Sequence, residues 1–118
     1  MIERKITVDG KEYTLRASAL IPRLYRAQFG RDMVTDMQGL SEAYKKAAGE
    51  DAQLSAMDLG VFENIAWVML KHGGSDVGEN PDEWLDSLDG IFSVYEVLPV
   101  IIEMWASNNR TTSVPRKK

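Results

Sequence analysis

Residues 2–18 read IERKITVDGKEYTLRAS, two alternating runs separated by Asp9-Gly10. An Asp-Gly pair between alternating apolar residues is the strongest short-range signal for a β-hairpin closed by a two-residue type I′ turn. That turn sets the pairing, with Val8 opposite Lys11, Ile6 opposite Tyr13 and Arg4 opposite Leu15. One face collects Ile2, Ile6, Val8, Tyr13 and Leu15. The other collects Glu3, Lys5, Thr7, Glu12, Thr14 and Arg16, with Glu3 across from Arg16 and Lys5 across from Thr14. Two strands alone are marginal in water, so the apolar face must lie on helices. The hairpin is expected to serve as a lid on the core, its outer edges open to a further strand.

Downstream of Ser18 the apolar period changes from two to between three and four, which predicts helices. A first helix over about 20–29 has Pro22 in its opening turn and Gly30 as the left-handed residue past its end. Leu24, Tyr25 and Phe29 face inward, Arg23 and Arg26 outward. Asp32 caps a second helix over 32–48, whose inner stripe is Met33, Met37, Leu40, Tyr44 and Ala47 or Ala48. After a polar stretch from Glu50 to Gln53, Ser55 and Asp58 form a capping pattern for a third helix over 55–72. Its inner face is Leu54, Met57, Val61, Ile65, Val68 and Met69, widened by Phe62 and Trp67. Gly73-Gly74 stops it, and SDVGEN reads as a mobile loop. Asn80, Pro81 and Glu83 then start a short helix over 81–88 that presents Trp84, Leu85 and Leu88.

Residues 91–105, IFSVYEVLPVIIEMW, carry only the charges of Glu96 and Glu103. On a helical wheel Ser93, Glu96, Glu103 and Ser107 share a narrow arc. The remaining apolar arc, about 240° wide, far exceeds the stripe of an ordinary surface helix, somewhat over 100°. The run is too short to cross a bilayer, which takes about 20 residues. It is therefore expected to be a helix over 91–107 at the centre of the core. Pro99 cannot donate to the carbonyl of Tyr95, which predicts a kink or local opening there. Val100 falls in the polar arc, where the core has no use for it. Beyond Trp105 the period is lost and Arg110, Arg116, Lys117 and Lys118 accumulate, so 108–118 reads as a flexible basic tail. The expected architecture is α+β and mostly α. It is one domain over 1–107, an N-terminal β-hairpin packed on a compact bundle of four to five helices.

Composition narrows the function. Of 118 residues 44% are hydrophobic and 27% charged, ordinary for a globular domain with a real core. A net charge of −4 opposes nucleic-acid binding, which needs a basic field. There is no cysteine, which removes disulfides, thiolate catalysis and cysteine-based zinc sites. The opening MIERKITVDG lacks the apolar core of a signal peptide, so a soluble intracellular protein is expected. His72, the one histidine, lies in the last turn of its helix, where the helix dipole favours a cation. One histidine without cysteine supports no nucleophile relay. The acid pairs Glu50-Asp51 and Asp82-Glu83 belong to helix starts, and Asp76, Glu79 and Asp82 lack the spacing of a calcium loop. Neither a phosphate-cradling loop nor a dinucleotide fingerprint is present. No catalytic, cofactor-binding or metal-binding residue is assigned. A contact is expected rather than a reaction.

Methionine adapts to irregular partners, and Met33, Met37, Met57, Met69 and Met104 are many for a small domain. The surfaces expected to bind a partner are Met33 and Met37 on the second helix, and Phe92, Tyr95, Pro99, Val100 and Ile102 on the apolar run.

Several stretches, taken in order, carry a family likeness: ITVDGKEYTLRAS (6–18), IPRLYRAQFGRDMVTDMQ (21–38), VFENIAWVMLKH (61–72), PDEWLDSLDGIFSVYEVLPVIIEMW (81–105) and the tail TTSVPRKK. Together they resemble the small tail assembly chaperones of long-tailed, non-contractile bacteriophages and prophages of low-GC Gram-positive hosts. The resemblance implies a protein made in the cytoplasm of the infected or lysogenic host. Such a protein binds the tape measure protein, a very long helical chain, keeps it soluble and helps recruit tail tube protein. It is absent from the finished virion, and many such phages also make a longer, frameshifted form. The pattern carries over no binding residue. Several copies along one client would gain from multivalency, so self-association is expected, without nucleic-acid or membrane partners. Two other readings are a permanent structural subunit of a phage tail or head–tail connector, and a small enzyme completed only on oligomerisation.

Overall fold

The computed structural model describes residues 2–49, 55–91 and 93–113. Strands β1 (Ile2–Val8) and β2 (Lys11–Ala17) pair antiparallel in the expected register, from Ile2 opposite Ala17 to Val8 opposite Lys11. Asp9 and Gly10 have φ of 55° and 80°, the two left-handed residues that a type I′ turn requires. Val8, Tyr13, Leu15 and Ala17 are buried and Ile2 and Ile6 half-buried, while Glu3, Lys5, Thr7 and Glu12 are exposed.

Five α-helices follow: α1 (Ile21–Phe29), α2 (Met33–Gly49), α3 (Ala56–His72), α4 (Pro81–Ser87) and α5 (Leu98–Ser113). Their start and stop signals act as the residues suggest. Gly30 ends α1 at φ 69°, and its amide donates to the carbonyl of Arg26. The Asp32 carboxylate accepts from the amide of Val34 at 3.1 Å and the hydroxyl of Thr35 at 2.8 Å. Ser55 and Asp58 form a reciprocal capping box, and the Asn80 side chain accepts from the amide of Glu83. Between α1 and α2, Asp36 accepts from the Tyr25 hydroxyl at 2.8 Å and from Arg31 through two bonds of 2.7 and 2.8 Å. Burial and the neighbouring Asp36 push the Tyr25 phenol up, while Arg31 holds the Asp36 carboxyl below its usual range.

The centre of the core is α3. Phe62 and the six consecutive residues 65–70 are buried, so the helix is covered on every side there. It touches β2, α1, α2, α4 and α5. This corrects the expectation that residues 91–105 form the central helix. The end of α3 is clamped beneath β2 at Gly73, where a Cβ would run into the backbone carbonyl of Thr14. Ser75 reinforces the clamp: its hydroxyl accepts from the Thr14 amide at 3.0 Å and lies 3.3 Å from the Thr14 carbonyl.

Other expectations need revision. Met57 is 75% exposed rather than inward, because the fully buried part of α3 begins only a turn later, at Phe62. The segment SDVGEN is anchored rather than free. Val77 is buried, its carbonyl accepts from the Trp67 indole at 3.1 Å, and the Gly78 carbonyl accepts from Lys71 at 2.8 Å. The apolar run is not one continuous helix, and it opens around Tyr95 as Pro99 predicted. Ser93–Val97 is a 3-10 turn, and α5 begins at Leu98. Pro99 therefore stands in the first turn of α5, where a missing amide costs nothing. The helix continues to Ser113, past the predicted end at 107 and into the stretch read as a tail. Residues 114–118 lie outside the described residues, as do Leu54 and the polar stretch 50–53. Among the described residues, no helix is long and apolar enough to cross a membrane.

Candidate interaction surfaces

The expected partner-binding residues do not form one surface. Met33 and Met37 are 5% and 0% exposed, so both belong to the core. The period that marked their stripe is the period of burial, and they offer no face to a partner. Tyr95 is half-buried with its ring 6.1 Å from that of Phe62. Val100 and Ile102 are also half-buried against the core, so Val100 has the packing role that the helical wheel denied it. The wheel assumed one continuous helix, and the break before Leu98 rotates α5 relative to what precedes it. Pro99 is exposed. Phe92 lies outside the described residues.

Of the concave surfaces among the described residues, two have apolar floors or lips that the sequence did not announce. The first is a groove of about 280 Å³ between α1 and α3, lined by Leu24, Ala27, Gln28, Trp67, Val68, Lys71 and His72. Its floor is apolar and its rim polar. One wall is preset. The Trp67 indole donates to Val77, its ring meets Phe29 edge-on at 6.2 Å, and the Lys71 ammonium stands 5.8 Å over it. His72 is tied at the rim, its Nε2 3.2 Å from the Ser18 hydroxyl. Leu24 came from the inward stripe of α1, but Ala27 and Gln28 belong to its outer side. No periodicity could have joined them to α3.

The second is a groove of about 290 Å³ where α3, α4 and the start of the apolar run meet. Leu85, Leu88, Val94 and Tyr95 supply apolar surface, and Glu63, Asp86 and Asp89 the charges. Ile91 stands at its lip and is 85% exposed. Burial, and then the charge of Asp82, push the Glu63 carboxyl above its usual range. Among the described residues, Glu63, Asp82, Asp86 and Asp89 form no ion pair.

The backbone around Ile91 is held from the hairpin. The Asp9 carboxylate accepts from the amides of Asp89 and Gly90 at 2.7 and 3.2 Å, and from the Ser93 hydroxyl at 2.5 Å. Those bonds, led by that from Ser93, hold the Asp9 carboxyl below its usual range. The residue that shapes the hairpin turn thus also fixes the entry to the apolar run. Nearby, Arg4 on the inward face of β1 donates to Glu103 of α5 at 2.8 Å. A sequence places Asp9 in its turn but says nothing of residues eighty positions away.

No group of three or more His, Cys, Asp or Glu that could hold a metal occurs among the described residues. Comparison with known protein families, curated proteins and solved structures finds no match to this chain.

Proposed function

We propose that this chain is a non-enzymatic chaperone of phage tail assembly, which holds the tape measure protein, keeps it soluble and helps recruit tail tube subunits. It works in the cytoplasm of the infected or lysogenic host and leaves before the virion is complete. The ordered resemblance along nearly the whole chain names the client. The structural observation that carries the reading is the α1–α3 groove, with its apolar floor of Leu24, Ala27, Trp67 and Val68 beneath a polar rim. Helix-in-groove recognition uses such a shape to take the apolar stripe of an amphipathic helix. Its preset wall lowers the ordering cost of binding.

Co-expression with the neighbouring tape measure protein is the direct test. The client is expected to stay soluble and to co-purify with the chain. Ala27 is exposed on α1, so Ala27→Glu puts a charge in the groove without touching the core. That variant is expected to fold normally and to leave the tape measure in the pellet. A tape measure equally soluble with and without the chain defeats the proposal. Stoichiometric persistence of the chain in purified virions, read by mass spectrometry, points instead to a permanent tail or connector subunit.

A further inference from the structure

The charge of this chain is unevenly placed. Residues 110–118 hold four of its 14 Lys and Arg and none of its 18 Asp and Glu, so they carry +4 against −8 for the other 109 residues. The acidic side has a local focus at the second groove. Glu63, Asp86 and Asp89 line it and Asp82 stands near, with no cation paired to any of them among the described residues. A half-buried carboxylate beside like charges is electrostatically unfavourable until a cation approaches. The groove also has a demand that charge does not meet, since Ile91 stands almost fully exposed at its lip. Its occupant must combine a short apolar element with several cations. Residues 114–118, VPRKK, have that composition.

We propose that the groove formed by Glu63, Leu88, Asp89, Ile91 and Tyr95 receives the basic segment 114–118 of a second copy of this chain. Val114 and Pro115 do not reach the groove of their own chain. The groove lies at the N-terminal end of α5, and the 16 residues of α5 carry the chain about 22 Å away from it. The two residues from Ser113 to Pro115 span at most about 7 Å even fully extended. Val114 and Pro115 cover Ile91 and Leu88, while Arg116, Lys117 and Lys118 meet the four carboxylates. Donor segment and acceptor groove are different surfaces, so the contact is heterologous. It propagates head to tail into rings or open chains rather than stopping at a two-fold dimer. The proposal rests on the self-association expected of an assembly chaperone, but not on the identity of the client. Asp9 contributes by fixing the backbone on which Ile91 is presented.

Sedimentation velocity of the full chain over a range of concentration, at low and high salt, supplies the test, with two charge reversals. One is Asp86→Lys with Asp89→Lys, both exposed. The other is Arg116→Glu with Lys117→Glu. The parent chain is expected to self-associate at low salt, and each reversal to weaken association about tenfold or more, as screening by salt also does. Mixed together, the neutral counterparts, Asp86→Asn with Asp89→Asn and Arg116→Gln with Lys117→Gln, retain one good groove and one good segment between them, so they are expected to form a one-to-one complex that grows no further. A synthetic VPRKK peptide is expected to shift the amide resonances of Leu88, Ile91 and Tyr95. A parent chain that stays monomeric, association that survives both reversals, or a peptide that moves no groove resonance each overturns the proposal. A tape measure that stays soluble only with the chain, despite such an outcome, leaves the chaperone reading standing.

Discussion

The hairpin and the run from residue 91 to 105 carry comparably strong sequence patterns, yet only one takes the whole form its pattern suggests. Each pair of the hairpin is in the predicted register. The run was expected to be one central helix, kinked or opened at Tyr95 by Pro99; it does open there, as a 3-10 turn ahead of α5, but it lies at the side of a core that belongs to α3. The hairpin is closed by a turn whose geometry depends on two adjacent residues. The form of the run depends on partners far along the chain, above all Asp9, whose carboxylate takes up the amides of Asp89 and Gly90 and the Ser93 hydroxyl. A local signal is legible to the extent that local atoms decide the outcome.

The severest way to test this contrast is to remove one buried side chain from each region. Leu15 on β2 and Ile101 on α5 are both fully buried. Leu15→Ala and Ile101→Ala are each expected to cost about 2–5 kcal/mol in urea unfolding. Both are expected to lower the midpoint of a single transition. Two separated transitions would show that the regions do not share one cooperative core.

A smaller effect separates the two backbone devices. Gly10→Ala places a Cβ at φ 80° and is expected to cost about 1 kcal/mol. Pro99→Ala changes an exposed first-turn residue and is expected to stay within about 0.5 kcal/mol. It should also leave Ser93–Val97 in its 3-10 form, judged by backbone chemical shifts. A continuous helix from Ser93 onward would mean that the proline, and not the anchor at Asp9, breaks the run.

Asp9→Asn tests the link itself, because Asn-Gly forms the same turn while the charged acceptor is lost. Amide resonances of Asp89 and Gly90 are expected to move and those of β1 and β2 to stay. The same link predicts a pH dependence. The Asp9 carboxyl titrates lower in the folded protein than it does unfolded. Its stabilisation is therefore complete above the ordinary carboxylate range, near pH 4, and is lost as pH falls through the lowered value. Protection of the Asp89 and Gly90 amides, measured against their intrinsic exchange rates, should fall at acid pH in the parent chain, with no such step in Asp9→Asn.

The smallest effect belongs to the other bridge between the regions. Arg4 and Glu103 meet at 2.8 Å with side chains 39% and 63% exposed. A double-mutant cycle through Arg4→Ala and Glu103→Ala is expected to give a coupling below about 1 kcal/mol, vanishing at high salt.

Of the candidate sites, less was readable than of the fold. Apolar residues at helical spacing report burial, and Met33 and Met37 were buried for that reason rather than kept for a partner. The α1–α3 groove joins Ala27 and Gln28 with residues forty positions later, a neighbourhood created only by packing. Ile91 had a signal of sorts, as the first apolar residue after Gly90. Its exposure follows from lying in a turn outside any helix, which periodicity does not describe.

The amino-acid sequence by itself determined the hairpin with its register, the caps that begin α2, α3 and α4, and the stop at Gly30. In each case the deciding atoms lie within a few residues of one another. Only the tertiary structure decided that α3 rather than the most apolar run takes the centre. Pro99 announced an opening near Tyr95, but only the tertiary structure decided its 3-10 form beside Asp9 and which faces are left over as grooves. Those outcomes depend on how much surface each element can cover on its neighbours, and that is set by the whole chain at once.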